Sequence, residues 1–491
     1  MSETNSYKQI IKATSIFGGV QVFNIFISII RSKMVAVLLG PSGMGIAGLL
    51  TSTIGLIASI TNFGLGTSAV RDIAAANTSG EDRRMALVTT VFRKWVWVTG
   101  MLGAFITLIA SPWLSELTFG NRDYIWSFVL LSVTLLINQL NSGQNVILQG
   151  TRKLKYLASA NMIGSVTSLV VTLPFYYYYG VGGIVPAIII MSILTLIVTN
   201  FFASKIVIPK IVVPTKTIVS EGKGMLKLGF MLSLSGLITT LTAYLVRIFI
   251  SNTGSIADVG LYSAGFSIIG TYVGMIFSAM STDYYPRLSG VSHDVKESNT
   301  LINQQAEIAL LILGPVLAVF IIFSSWIVML LYSNKFVLVS AMISWASLGM
   351  YFKASSWAIA FIILAKSDSK LFFWNEVTAN FYGLILNVLG YYFFGLEGLG
   401  ISFFIWYILY FIQVFLICRK KYAFELHTKF LKILAQQFII GLVCFVINRY
   451  TASPYCYIFG VLGCFISGLI SYKELDNLFG LKEIINKSLK R

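Results

Sequence analysis

The chain has 491 residues, 56% of them hydrophobic and 11% charged, with a formal net charge of +17. Soluble globular proteins are about a quarter charged, so this composition excludes an ordinary water-soluble domain. Apolar runs of about twenty residues recur from end to end, each long enough to cross a hydrocarbon core as a helix.

In chain order, the polar start MSETNSYKQIIKATSIF leads into an apolar run too long for the core of a cleavable signal, so it reads as a first membrane helix. Hydropathy places spans at about 13–39, 44–68, 88–111, 124–149, 157–179, 183–204, 228–250, 258–283, 304–331, 337–365, 371–394, 398–418, 430–448 and 455–472. With a cytoplasmic N-terminus, 29 of the 36 Lys and Arg residues fall in cytoplasmic segments or within two turns of a cytoplasmic span end, and Arg122, Lys335 and Arg449 in external loops. That asymmetry follows the positive-inside rule and puts both termini of a multi-pass membrane protein on the cytoplasmic side. The basic charge therefore orients the chain, and no folded basic domain is left to bind nucleic acid.

The stretch YYYYGVGG (Tyr176 to Gly183) returns as YYFFGLEG (Tyr391 to Gly398), at an offset of 215. The same offset maps Lys155 onto Lys370 and Gly45 onto Gly260, and WLSELTFGN (Trp113 to Asn121) matches WIVMLLYSN (Trp326 to Asn334) at 213. The repeat holds six spans, an even number, so its two copies are parallel, related by an axis along the membrane normal. The expected fold is an all-α polytopic membrane protein of about fourteen helices, two parallel six-helix lobes around a central cavity. The N-lobe takes residues 1–208, a cytoplasmic linker 209–227, the C-lobe 228–418, an extra helix pair 419–472 and an amphipathic cytoplasmic tail 473–491. The tyrosine blocks read as aromatic anchors before tight glycine turns at the external interface.

Polar residues inside a membrane usually face a cavity or the protein interior. On the first span Gln21, Asn24, Ser28 and Arg31 share one helical face. Asn138, Asn141, Ser142, Asn145 and Gln149 form an amide stripe on the fourth, and Thr240, Tyr244 and Arg247 align on the seventh. Lys353 lies ~18 Å of helix from the cytoplasmic end of the tenth span, too deep to snorkel. Lys33 points nearly opposite to Arg31 and serves either the cavity or a structural pairing. Such stripes also arise from plain interhelical hydrogen bonding. Several of them, with several cations and few deep carboxylates, favour a cationic, hydrophilic cavity for an anionic ligand with a sugar-like or peptide-like part. Arginine forks and lysine charges hold phosphate oxygens, and amides serve hydroxyls. Asp283, Glu307 and Glu376, near cytoplasmic span ends, are either coupling groups that take up a proton or structural ion pairs.

No phosphate-binding GxxxxGK[ST] loop occurs, so no nucleotide is expected. Cys418, Cys444, Cys456 and Cys464 read as packing residues, and His293 and His427 both lie in cytoplasmic loops. No metal site and no cofactor are expected.

The stretch LLYSNKF (Leu330 to Phe336), with Trp345, Lys353, Ala365-Lys366 and Glu376-Val377 after it, resembles the Wzx lipid-linked oligosaccharide flippases. These belong to the multidrug/oligosaccharidyl-lipid/polysaccharide exporter superfamily. KMVAVLLGPSGMG (Lys33 to Gly45), FGNRDY (Phe119 to Tyr124) and GLEGLG (Gly395 to Gly400) add to the likeness, which covers the first twelve spans. It is closest to the branch handling O-antigen and enterobacterial common antigen units. The resemblance implies a transporter rather than an enzyme, turning an undecaprenyl-diphosphate-linked oligosaccharide from the cytoplasmic to the periplasmic leaflet by alternating access, with cation coupling in some members. Its expected partners are the lipid-linked oligosaccharide, membrane lipids and other polysaccharide-assembly proteins, and no nucleic acid. On this reading Arg31, Lys33, Arg247 and Lys353 hold the diphosphate. Gln21, Asn24, Asn138, Asn141, Asn145, Gln149 and Tyr244 meet the sugars. The alternative is a multidrug or cation antiporter of the same superfamily.

Overall fold

A computed structural model describes the backbone over residues 3–79, 81–209 and 211–479, and side chains over 23–78, 81–209, 211–271, 273–281 and 283–477. Hydrocarbon offers no partner for a free peptide group, so a lipid-embedded chain closes its hydrogen bonds within helices. The described residues accordingly form fifteen α-helices and no strand: α1 (Glu3–Thr61), α2 (Leu65–Ser79), α3 (Asp82–Phe119), α4 (Ile125–Gly150), α5 (Leu154–Tyr179), α6 (Ile184–Ala203), α7 (Thr215–Thr253), α8 (Ile256–Ser267), α9 (Gly274–Val291), α10 (Val295–Ile322), α11 (Ser324–Leu331), α12 (Ser340–Ala365), α13 (Ser369–Tyr422), α14 (Thr428–Tyr450) and α15 (Tyr455–Phe479). Among the described residues, eleven helical stretches are long and apolar enough to cross a membrane. Three of them hold two crossings each, broken at Gly40, Gly180 and Gly395, which brings the segments to the fourteen expected.

The helices outrun the hydropathy. Residues 71–79, expected in a loop, belong to α2, which buries Leu65, Ala69, Ile73 and Ala76 on one face at helical spacing. About two thirds of the stretch expected as a linker, 209–227, is helical: α7 starts straight after Pro214. Asp294 caps α10 by accepting the Glu297 N–H at 2.9 Å, and Asp368 caps α13 by accepting that of Leu371 at 3.2 Å. The amphipathic tail expected over 473–491 starts within α15, and from 480 onward it lies outside the described residues.

The chain divides into two compact units, Met1–Gly260 and Leu261–Arg491. In the first, α3 packs along α4, α5 pairs with α6 and with α1, and α7 lies against α1, α2 and α3. Its main core joins Ile73, Phe92, Ile147 and Met225 from four helices. In the second unit α12 is central, packed on α10, α13 and α14, with Met350, Tyr351, Ala354 and Ala358 fully buried. The two arms of α13 run antiparallel: Ser402 Oγ donates to the Leu386 carbonyl at 2.6 Å and Gln413 Nε2 to Asn375 Oδ1 at 2.8 Å.

The backbone carries the repeat. Gly180 has φ 52° and ψ −129°, and Gly395, at the same place in the second copy, φ 58° and ψ −140°. Side chains avoid this region, so glycine is required at both turns. Tyr176 and Tyr391 are buried, whereas Tyr177, Tyr178 and Tyr179, like Tyr392, Phe393 and Phe394, are exposed. Each block thus sends its first ring inward and the next three outward.

Gly45 and Gly260 show the repeat as a contact. A Cβ on Gly45 would lie 1.9 Å from the Ile256 carbonyl oxygen, and one on Gly260 1.9 Å from that of Pro41. Ile256 is the counterpart of Pro41 at the same offset of 215, so the contact, which lies within the first unit, is reciprocal. Only a residue without a side chain permits this approach.

Candidate binding cavities

The first unit holds two polar cavities on either side of α4. One, of about 430 Å³, is lined by α1, α4, α5 and α6. Asn24, Ser28 and Arg31 enter it from α1, as their shared helical face requires, and Asn141 and Asn145 from α4. Arg31 Nη1 donates to Ser168 Oγ on α5 at 2.7 Å, and Ser165 Oγ donates to Asn24 Oδ1 at 2.8 Å. Among the described residues Arg31 is the only charged side chain lining the cavity. Asn141 Oδ1 and Asn145 Oδ1 are buried with no hydrogen-bond partner. A buried amide oxygen left unbonded costs about 1–3 kcal/mol, so these two acceptors favour any donor that enters the cavity, water included. A guanidinium has five N–H groups, and the bond to Ser168 occupies one of them.

The other cavity, about 640 Å³, lies among α1, α2, α4 and α7. Ser59, Asn62, Thr67, Ser142, Gln149 and Thr240 give it a hydroxyl- and amide-rich wall, with no charged side chain among the described residues. The stripe on α4 is therefore a partition: Asn141 and Asn145 serve one cavity, Ser142 and Gln149 the other.

α7 is fastened on both sides of this second cavity. Toward its N-terminus Trp95 Nε1 donates to the Ile218 carbonyl at 3.0 Å, and Arg84 pairs with Glu221 at 3.3 Å. Toward its C-terminus the Tyr244 hydroxyl lies 2.9 Å from Thr118 Oγ1 and accepts from Thr53 Oγ1 at 3.3 Å, while Asn252 Nδ2 donates to the Leu117 carbonyl at 3.1 Å. The α7 residues lining the cavity, from Leu232 to Thr240, fall between these fastenings.

In the second unit Lys353 Nζ stands over the rings of Tyr407, at 5.0 Å, and Phe403, at 5.6 Å, an aromatic seat for a cation. Tyr407 makes an edge contact with Tyr410, whose hydroxyl donates to Glu376 Oε1 at 2.6 Å, and Asn375 Nδ2 donates to the same oxygen at 3.2 Å. The structure thus brings Lys353 and Glu376 into one aromatic neighbourhood.

The other residues singled out from the sequence stand elsewhere. Tyr244 is 4% exposed and engaged with the two threonines, away from both cavities. Arg247 donates to the Ala243 carbonyl of its own helix at 3.2 Å and lines neither cavity. Lys33 is half-buried and Asn138 exposed, and neither lines a cavity. Asp283 forms an exposed pair with Arg287 at 3.2 Å, and buried Glu307 faces Lys429 at 3.8 Å. The side chain of Gln21 lies outside the described residues. Sequence reasoning passed over Asn161, Ser165 and Ser168 on α5 and Thr195 and Thr199 on α6, all lining the Arg31 cavity. Their spacings of four and three are the signal used on the first span, and it was there to be read.

A family described as "Polysaccharide biosynthesis protein" matches residues 34–341, more than half of the chain. The Lipid III flippase of Escherichia coli (strain K12) is 23% identical over 353 residues, 70% of this chain and 83% of the relative. Among solved structures, the lipid II flippase MurJ in an inward closed conformation superposes with a TM-score of 0.69 at 14% identity, over 95% of this chain and 99% of that one. An inward-facing multidrug resistance MATE family transporter of the MOP superfamily gives 0.66 at 18% identity, over 82% and 94%. These two show a shared fold. With its fourteen crossings in that fold and the match over residues 34–341, the chain belongs to the polysaccharide biosynthesis protein family.

Proposed function

We infer that this protein turns a lipid-linked oligosaccharide from one leaflet of the membrane to the other, its diphosphate passing through the Arg31 cavity. The observation that carries the reading is a guanidinium that is the only charged side chain among the described residues lining its cavity, beside two buried amide oxygens without partners. A fork of N–H donors matches phosphate oxygens, and amides serve sugar hydroxyls. The neutral second cavity, separated only by α4, offers the sugars room without a competing charge. The name borne by the Escherichia coli relative supports a substrate of the same kind. The polyprenyl chain stays in lipid, which no residue needs to recognise.

On this reading the substrate is an undecaprenyl-diphosphate-linked unit of the O-antigen type. It moves from the cytoplasmic to the periplasmic leaflet of a bacterial inner membrane, with both chain termini cytoplasmic. The two six-helix repeats act as lobes, and α7 is the moving wall: releasing its N-terminal fastening opens the neutral cavity toward the cytoplasm, releasing the other opens it outward. Lys353 and Glu376 are the second unit's pair for charge compensation and ion coupling. A multidrug antiporter shares the fold, but a cavity whose one charge is positive disfavours cationic drugs. Complementation tests the reading: in flippase-null cells the wild-type gene restores surface polysaccharide and the Arg31→Gln variant, inserted to the same level, does not. Equal restoration by both removes Arg31 from the path, and restored drug resistance without polysaccharide favours the antiporter.

A further inference from the structure

We propose that the second unit carries a separate carbohydrate-binding pocket beside the Gly395 turn, formed by α11, α12 and the end of α14, that takes a neutral sugar residue. The pocket has a volume of about 410 Å³, within the usual range for small-ligand sites. Its floor is Ser324, Ser344 and Phe445, all buried, with Ser344 Oγ donating to Ser324 Oγ at 3.3 Å. Asn448 stands in the wall and donates its Nδ2 to the Ile321 carbonyl at 2.9 Å, which orients the side chain and leaves its amide oxygen as an acceptor. Arg449 and the exposed ring of Tyr450 form the rim.

A chain of bonds sets the rim in place. Glu397, from the Gly395 turn, accepts the Trp345 indole N–H at 2.9 Å and Arg449 Nη1 at 2.5 Å on the same oxygen, and Trp345 packs on Phe445 with ring centroids 4.5 Å apart. This pairing decides the ligand class. The Arg449 charge is already met by Glu397, so the pocket has little net attraction for an anion, and its serine-rich lining repels a hydrocarbon tail. What remains suited is a polyhydroxyl ring: fixed donors on Arg449, acceptors on Asn448 and the serines, and aromatic faces for its C–H surfaces. In the first copy of the repeat the position of Glu397 is held by Gly182, so the bond chain belongs to the second copy alone. The pocket's chemistry stands without the translocation reading. That its sugar is the one delivered across the membrane rests on that reading.

The test is saturation-transfer NMR on the purified full-length protein in nanodiscs, with the methyl glycosides of N-acetylglucosamine and galactose and with inorganic pyrophosphate as probes. A glycoside should receive saturation that falls about tenfold in Asn448→Leu and in Arg449→Ala, the loss of one bonding partner, while Arg122→Gln, at an exposed ion pair with Glu116, leaves it unchanged. Thermal unfolding of each variant confirms folding, and Ser325→Val on the half-exposed wall is the fallback should Asn448→Leu not fold. Absence of transfer to either glycoside, undiminished transfer in the rim variants, or displacement of a glycoside by pyrophosphate would overturn the proposal. Glycoside binding that survives in a protein unable to restore polysaccharide keeps the pocket and removes only its tie to transport.

Discussion

Replacing Arg31 by Gln tests the diphosphate assignment through binding alone. The substitution removes the one charge that the described residues bring to its cavity and leaves an amide of similar reach. A hydrogen bond to a charged group is worth about 1.5–3 kcal/mol, so losing one such bond to a phosphate oxygen weakens binding roughly 10–150-fold. The bond from Arg31 to Ser168, at 2.7 Å, fixes where the guanidinium points. Ser168→Ala should therefore keep the charge and weaken binding by less, about threefold to tenfold. Arg31→Lys keeps a point charge but loses the planar fork, and should fall between the wild type and Arg31→Gln. Affinity for undecaprenyl diphosphate, titrated calorimetrically in nanodiscs at two salt concentrations, gives the order wild type, Ser168→Ala, Arg31→Lys, Arg31→Gln. If Arg31→Gln binds as tightly as the wild type and melts at the same temperature, the diphosphate does not use this cavity.

Three further outcomes are expected. Gly45→Ala and Gly260→Ala each drive a methyl group into a carbonyl 1.9 Å away, so each should lower stability by about 1–3 kcal/mol in thermal unfolding. The reciprocal contact also predicts that the double variant loses less than the two single losses together. Tyr244→Phe removes the hydroxyl from its two threonines and should cost about 1 kcal/mol of stability while leaving undecaprenyl diphosphate affinity unchanged; a binding defect would return Tyr244 to the site. The hydrogen bond from Lys421, together with the cap bond from Leu371, holds the Asp368 carboxyl below its usual pKa. A lowered folded-state value stabilises above the unfolded pKa of about 3.9 and is lost as pH falls through the folded one, so the melting difference between wild type and Asp368→Asn should be full at neutral pH and vanish in strong acid.

Hydropathy located the crossings because lipid demands length and apolarity, and the offset of 215 located the two glycine turns whose dihedral angles agree. The helix ends in water were not legible, since α2 and the start of α7 are set by amphipathic packing and caps rather than by hydrocarbon thickness. Spacing found which residues share a face and could not say what that face meets. It set Asn24 and Arg31 correctly together, yet it read the α4 residues as one stripe where the helix divides two cavities. Tyr244 and Arg247 show the same limit: the Tyr244 hydroxyl is taken up by Thr53 and Thr118, and Arg247 turns back on its own helix. The partners of Lys353 come from α13, about fifty residues away, beyond the reach of any local pattern.

The central claim is translocation, and the most direct measurement is made in proteoliposomes. The purified protein is reconstituted with a lipid-linked oligosaccharide confined to one leaflet, and the sugar's arrival in the other is followed by lectin binding. Wild-type protein should move the sugar across. Arg84→Cys with Glu221→Cys, joined by a short bifunctional reagent across the α3–α7 fastening, should stop it, and cleaving the link should restore it. Movement that persists with α7 locked, or no movement by the unlocked protein, would contradict the account.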